Sequence, residues 1–483
     1  MRAKLGICAA VISAVLVSGC RGPVESGEAG GSAGSSAGGS GGSSGSGGVG
    51  GMPTGGSGGG TGGTGIGGGA GGSGGLGLPG DWKPVRLDVH PAGFELYEAD
   101  PATLELPRPE WESCGPGCES TTLAYGNVTG DVIVATVEAP TGGAMAIVGV
   151  KHALYLDGDL TLLQRVIRLS DGMTLGAFLK RAVGGAHPAI GVRAEMAASV
   201  FLYDGDSGAK SYASLELSEG ATRWWFREPW DESRYRTLEC DHFDLEGSPP
   251  AYLFACPHGV DVMLETGEAT VLPDSANAVA GAGSRGLAVW AQHRLGREPG
   301  EWHRSRVRAW APGEEVRDLA EVEGVVCGLG VGDEVVVGLL GDDHTGSGRC
   351  NTGLTNPHFF VLPRTGGMLE RGPRPPVDSP SASIKVASVS GDFATVLLAG
   401  APDMEYPDRW RIVLIRLSDW QMRVFPVPQG RSISTTGVAV DLEHLYFATK
   451  MNEPFKPQGF DRLYRYRLDH FDQIGEPAEA AAP

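Results

Sequence analysis

Between Gly31 and Gly80 the sequence has no charged residue at all, and 28 of those fifty positions are glycine. Such a stretch lacks the apolar surface that must be buried to offset ordering entropy, so it is expected to stay unfolded. Long apolar runs are missing as well. The longest near the start, Leu5 to Val17, has 13 mostly apolar residues, short of the ~20 that a helix needs to cross a bilayer. Basic charge is scarce. From Asp81 onward there are 36 Lys and Arg (39 less Arg2, Lys4 and Arg21) against 56 Asp and Glu (58 less Glu25 and Glu28), a net of −20. That balance argues against a nucleic-acid-binding face and against docking on anionic lipid. Also missing are an HExxH pair, a GxxxxGK[ST] phosphate loop and any long segment with an amphipathic helical stripe. No cofactor is expected.

What the beginning does contain is an address. Arg2 and Lys4 precede the apolar run, and Val17-Ser18-Gly19-Cys20 follows it, the order of a secretion signal. The last four residues resemble the lipobox of bacterial lipoproteins. The resemblance implies that residues 1–19 are removed and that Cys20 carries the lipid. Arg21 in place of aspartate then points to the outer membrane by the enteric sorting rule. Residues 20–80 form the lipidated cysteine and a Gly/Ser tether, whose root-mean-square span is about 40–45 Å. Long Gly/Ser tethers behind a lipobox are similar to those of many myxobacterial lipoproteins. The body, 81–483, is therefore expected to be held near a membrane without lying on it, and to be a monomer.

The cysteines suit an exported chain. With Cys8 lost and Cys20 lipidated, Cys114, Cys118, Cys240, Cys256, Cys327 and Cys350 remain, an even number that suggests disulfides. Pairing of sequence neighbours is preferred: 114 with 118, 240 with 256, 327 with 350.

The body reads as all-β. Short β-branched or aromatic runs such as Asp131 to Val137, Asp333 to Leu340 and Arg411 to Leu417 alternate with Gly, Asp, Pro and Asn. Ala194 to Val200 and Glu314 to Glu323 are compatible with short helices. Strand–turn–strand units recur around Gly172, Gly313, Gly366, Asp419 and His470, with weaker copies near Asp206 and Gly267. Four-stranded units at spacings of ~40–55 residues indicate a β-propeller. Counting turns gives seven blades, with six or eight as neighbouring counts. Radial repetition also explains how 403 residues fold without one large core. A row of β-sandwich domains is the competing architecture.

No complete catalytic set is present. Trp111-Glu-Ser-Cys114-Gly-Pro-Gly-Cys118 resembles the thioredoxin Trp-Cys-Gly-Pro-Cys, but three residues separate the cysteines and no helix-forming pattern follows. Gly205-Asp206-Ser207-Gly208 resembles the serine segment of trypsin-like proteases without a matching histidine segment, and falls at a hairpin tip. Asp157-Gly-Asp159 and Asp204-Gly-Asp206 lack the spacing of a calcium loop, and Asp342-Asp343-His344 is a loop with mixed ligating groups.

Two polar loops stand out as candidate binding surfaces. One runs from Thr222 to Arg236 and interleaves Trp224, Trp225 and Trp230 with Arg227. The other spans Gln292 to Arg304 and carries His293, Trp302 and His303. Aromatic and Arg side chains are enriched at binding hot spots. The expected function is a tethered binding or interaction platform for a protein or carbohydrate ligand. The alternative is a propeller-type metal-dependent hydrolase or lyase with its site at the central channel. A third reading is an assembly scaffold in the outer membrane.

Overall fold

A computed structural model describes residues 82–85, 94–103, 108–122, 131–138, 144–152, 161–182, 199–203, 210–218, 221–230, 241–245, 251–256, 258–263, 269–294, 304–344, 354–376, 383–399, 410–425, 431–451 and 460–478. The signal, Cys20 and the tether lie outside the described residues. So do Asp157-Gly-Asp159, Gly205-Asp206-Ser207-Gly208, Cys240, Trp302, His303 and Cys350.

The short β-branched runs form antiparallel strands, which assemble into a β-propeller with six blades among the described residues. Blade 1 is Asp131–Glu138, Met145–His152, Thr161–Arg168 and Thr174–Ala182. Blade 2 is Asp241–Leu245, Ala251–Cys256, Gly259–Met263 and Ala269–Val271. Blade 3 follows as Ala278–Ser284, Leu287–Arg294, Arg304–Trp310 and Arg317–Glu323. Blade 4 is Val325–Val331, Val335–Gly341, His358–Pro363 and Glu370–Arg371, and blade 5 is Ser383–Ser390, Phe393–Ala399, Trp410–Arg416 and Gln421–Phe425. Blade 6 takes Arg431–Val440, His444–Met451 and Phe460–Arg467 from the end of the chain. The first strands of blades 2 to 6 lie beside one another in order, and that of blade 6 lies beside that of blade 1.

Seven blades are expected from the turns; six are found among the described residues. The hairpin around Asp206 exists, but it carries a three-stranded sheet of Ser199–Tyr203, Lys210–Ser218 and Ala221–Trp230. A turn count registers hairpins, and a hairpin proves only two strands. Glu314 to Glu323, compatible with a short helix by sequence, is instead a bend followed by the strand Arg317–Glu323. Gly313 at φ +85° makes the turn, and Arg317–Glu323 then pairs with Arg304–Trp310.

The turn at His470 is the third correction. Leu468–Gln473 is a short 3-10 helix, and the strand after it, Glu476–Ala478, leaves blade 6 to pair with Gln421–Phe425 of blade 5. It cannot stay in blade 6 because the place is taken. Cys118–Thr122, from the start of the body, pairs with Phe460–Arg467 and supplies the fourth strand. Each end of the body is thus sewn into a blade built from distant sequence. Phe471 anchors the returning segment, buried beneath the guanidinium groups of Arg416 and Arg423 at 4.5 and 5.4 Å from its ring centre.

The closing strand is held from both sides. Cys114 and Cys118 are disulfide-bonded across its hairpin, and closing so short a loop contributes about 2 kcal/mol. Gly117, at φ +62°, leaves no room for a Cβ beside His470, and its carbonyl accepts the Arg467 N–H at 2.9 Å. Arg465 Nε donates to Glu119 and its guanidinium lies 4.1 Å over the Trp111 ring centre. Cys118 opens the strand Cys118–Thr122 and not a helix, so the thioredoxin resemblance ends at the residue names. Cys256 and Cys327 are also disulfide-bonded, to partners outside the described residues.

Apolar side chains are buried between blades rather than in one centre. Separate clusters fill the spaces between blades 2 and 3, 3 and 4, 4 and 5, and 5 and 6. This partition lets the body extend beyond the size at which a single core stops growing.

Candidate functional site

At one end of blade 3 the structure forms a cavity of about 310 Å³, lined by Asp274, Asn277, Gln292, His293, Arg304, Arg306 and Glu321 together with Ala276 and Ser305. Four sequence segments build it. Asp274 to Asn277 belong to the connection from blade 2, Gln292 and His293 end the second strand, and Arg304 to Arg306 begin the third. Glu321 comes from the fourth strand.

The connection is shaped by two left-handed residues, Asp274 at φ 52° and Asn277 at φ 65°. Asp and Asn tolerate that conformation better than other non-glycine residues. The turn exposes its carbonyls to blade 3, which satisfies them. Gln292 Nε2 donates to the carbonyls of Asp274 and Ala276 at 2.6 and 2.9 Å. Arg308 Nη1 donates to the Asp274 carbonyl at 2.6 Å while its Nε donates to Asp318 at 2.7 Å. The His293 N–H reaches the Asn277 carbonyl at 3.2 Å.

The opposite wall is tied to blade 4. Ser305 Oγ donates to the Gly324 carbonyl at 2.7 Å and accepts the Val326 N–H at 3.0 Å. His293 Nε2 lies 3.0 Å from the Val326 carbonyl. A carbonyl only accepts, so that ring nitrogen carries the proton and cannot serve as a base. Alternation along the third strand puts Arg304, Arg306 and Arg308 on one face. Directly across stand Glu323, Glu321 and Asp318 in register. Arg304 is 3.8 Å from Glu321 and 4.0 Å from Glu323; Arg306 is 3.8 Å from Asp318 and 4.0 Å from Glu321.

Of the expected binding residues, the structure places His293 in this cavity. Trp302 and His303 belong to the connection that joins its second and third strands and lie outside the described residues. Trp224, Trp225, Arg227 and Trp230 are corrected from loop to strand. They sit in Ala221–Trp230, opposite Leu215, Ser214, Tyr212 and Lys210. The β-branched-poor composition there conceals a strand because aromatic residues also favour extended backbone. Asp342-Asp343-His344 is mostly a small pairing strand, with Asp342 accepting from Asn356 Nδ2 at 2.8 Å. Among the described residues, no group of three or more His, Cys, Asp or Glu side chains is gathered to hold a metal.

A second titratable group lies on blade 6. Asp441 Oδ1 accepts the N–H groups of Glu443 and His444 at 2.8 and 2.7 Å, capping the tight turn. Burial pushes the His444 imidazole below its usual range and the Tyr446 phenol above its own. These groups shape a turn, and the cavity on blade 3 is the better candidate site.

No family model matches the chain, and no curated protein matches it. Solved structures with a similar fold include the β-propeller domain of the Trilobed protease from Pyrococcus furiosus, 9% identical, with 70% of this chain and 94% of that one covered and a TM-score of 0.41. The acylaminoacyl peptidase of Pyrococcus horikoshii is 11% identical, with 72% of this chain covered but only 46% of the peptidase, and a TM-score of 0.28. A gluconolactonase of Xanthomonas campestris is 10% identical, with 75% and 96% covered and a TM-score of 0.31.

Proposed function

We propose that the chain is a lipid-anchored propeller of the cell envelope that binds a small polar ligand at the end of blade 3. The single observation that supports the binding role is the cavity itself. Its walls come from four separated segments, and it is within the lower size range of small-ligand sites. The anchor rests on the lipobox resemblance at Cys20, and the tether of residues 20–80 on composition. Among the described residues no helix is long and apolar enough to cross a membrane. A tethered body with a polar pocket suits capture of a solute near the membrane. The alternative metal enzyme needs a cluster of ligating side chains, and nothing among the described residues favours it.

The anchor has a direct test. Cys20→Ala should move the protein from the membrane pellet to the soluble fraction after cell lysis. Retention of that variant in the pellet at the level of the parent chain would defeat the lipid anchor.

A further inference from the structure

We propose that the blade 3 pocket selects a small carboxylate whose neighbouring carbons carry hydrogen-bond donors, as in a sugar acid or an α-amino acid. The inference rests on the pocket being a binding site and names what it takes.

The hydrogen-bond inventory carries the choice. Gln292 has committed both amide N–H groups to the Asp274 and Ala276 carbonyls, so only its Oε1 is left to meet a ligand. Arg304 and Arg306 are the opposite case. Their carboxylate neighbours stand at 3.8–4.0 Å, beyond the ~2.7–3.2 Å of an N–H···O hydrogen bond. Two guanidinium forks on one strand face are therefore offered to the cavity. A planar fork fits a carboxylate through two parallel hydrogen bonds.

The rest of the lining sets the remainder of the ligand. Glu321 stands between the two arginines, and Asp274 faces the same space. Both are acceptors, so they call for ligand hydroxyl or ammonium donors beside the carboxylate. Among the described lining residues, two acids against two arginines also leave no excess positive charge for a phosphate dianion. Among the described residues Ala276 is the one apolar side chain of the lining, which disfavours a greasy ligand.

The test uses the whole chain and three probes, D-glucuronate, L-alanine and D-glucose, followed by saturation-transfer NMR of the ligand. D-glucuronate or L-alanine should bind saturably. The double variant R304Q/R306Q should weaken that binding at least ten-fold. Both side chains are about half exposed, at 58% and 46%, and such pairs add little to stability, so the variant should melt with the parent. Binding of D-glucuronate alone identifies hydroxyl donors, and binding of L-alanine alone identifies ammonium. If D-glucose binds as well as D-glucuronate and Glu321→Gln removes both, the pocket stands and carboxylate selection is overturned. If R304Q/R306Q binds like the parent, or no probe binds, the proposal is also overturned. A fragment library on the same sample then decides whether the pocket binds anything.

Discussion

Replacing Trp290 with alanine is expected to lower the unfolding free energy by about 3–5 kcal/mol, the range for deleting a large buried aromatic. Trp290 is fully buried on the second strand of blade 3, within the cluster that includes Phe243, Leu253, Val262 and Trp310. That cluster is the seam between blades 2 and 3. Close packing prevents its neighbours from closing the void, because the first strands of the two blades already touch. At Gly281 an added Cβ would collide with the Phe243 ring, so the backbones cannot be spaced by larger residues there. Urea unfolding measures the loss. Trp290→Phe should cost much less, since it keeps a ring and removes an indole N–H with no partner among the described residues. Equal losses for the two variants would mean that the seam is loosely packed.

Proline at Ser120 should be comparably damaging, at about 3 kcal/mol. Ser120 is buried in the strand that closes blade 6, with Glu112 opposite on one side and Tyr464 on the other. Its N–H faces a paired strand whichever way it points, so proline removes a ladder bond and leaves a carbonyl without its donor. The loss should be concentrated in the closure. Hydrogen exchange in 462–467 should accelerate, while strands of blade 4 exchange as before. A fall in protection spread evenly over all blades would contradict the closing role of Cys118–Thr122.

How far the fold is legible in the sequence depends on the distance over which its signals act. Gly172, Gly313 and Asp419 mark real hairpins because turn chemistry is local, and the β-branched runs beside them give the strands directly. The partner of a terminal strand has no such mark. Nothing in Cys118-Glu-Ser-Thr-Thr122 announces pairing with residues some 340 positions later, so the turn at His470 reads as an ordinary hairpin. The pocket divides in the same way. The polar stretch from Gln292 to Arg304 is visible and leads to His293. Asp274, Asn277, Arg306 and Glu321 are recognised only once the turn from blade 2 and the fourth strand of blade 3 are brought together. The one local signal, Arg304, Arg306 and Arg308 at alternate positions, has the look of a solvated strand face until its carboxylate partners are located.

The central claim is that the end of blade 3 is where this anchored propeller meets its ligand. Hydrogen–deuterium exchange on the whole chain, with and without saturating D-glucuronate or L-alanine, whichever binds, tests it most directly. Slower exchange confined to segments 274–277, 291–294, 304–306 and 320–322 is the predicted result. Unchanged exchange there, with protection appearing on another blade or nowhere, would contradict it.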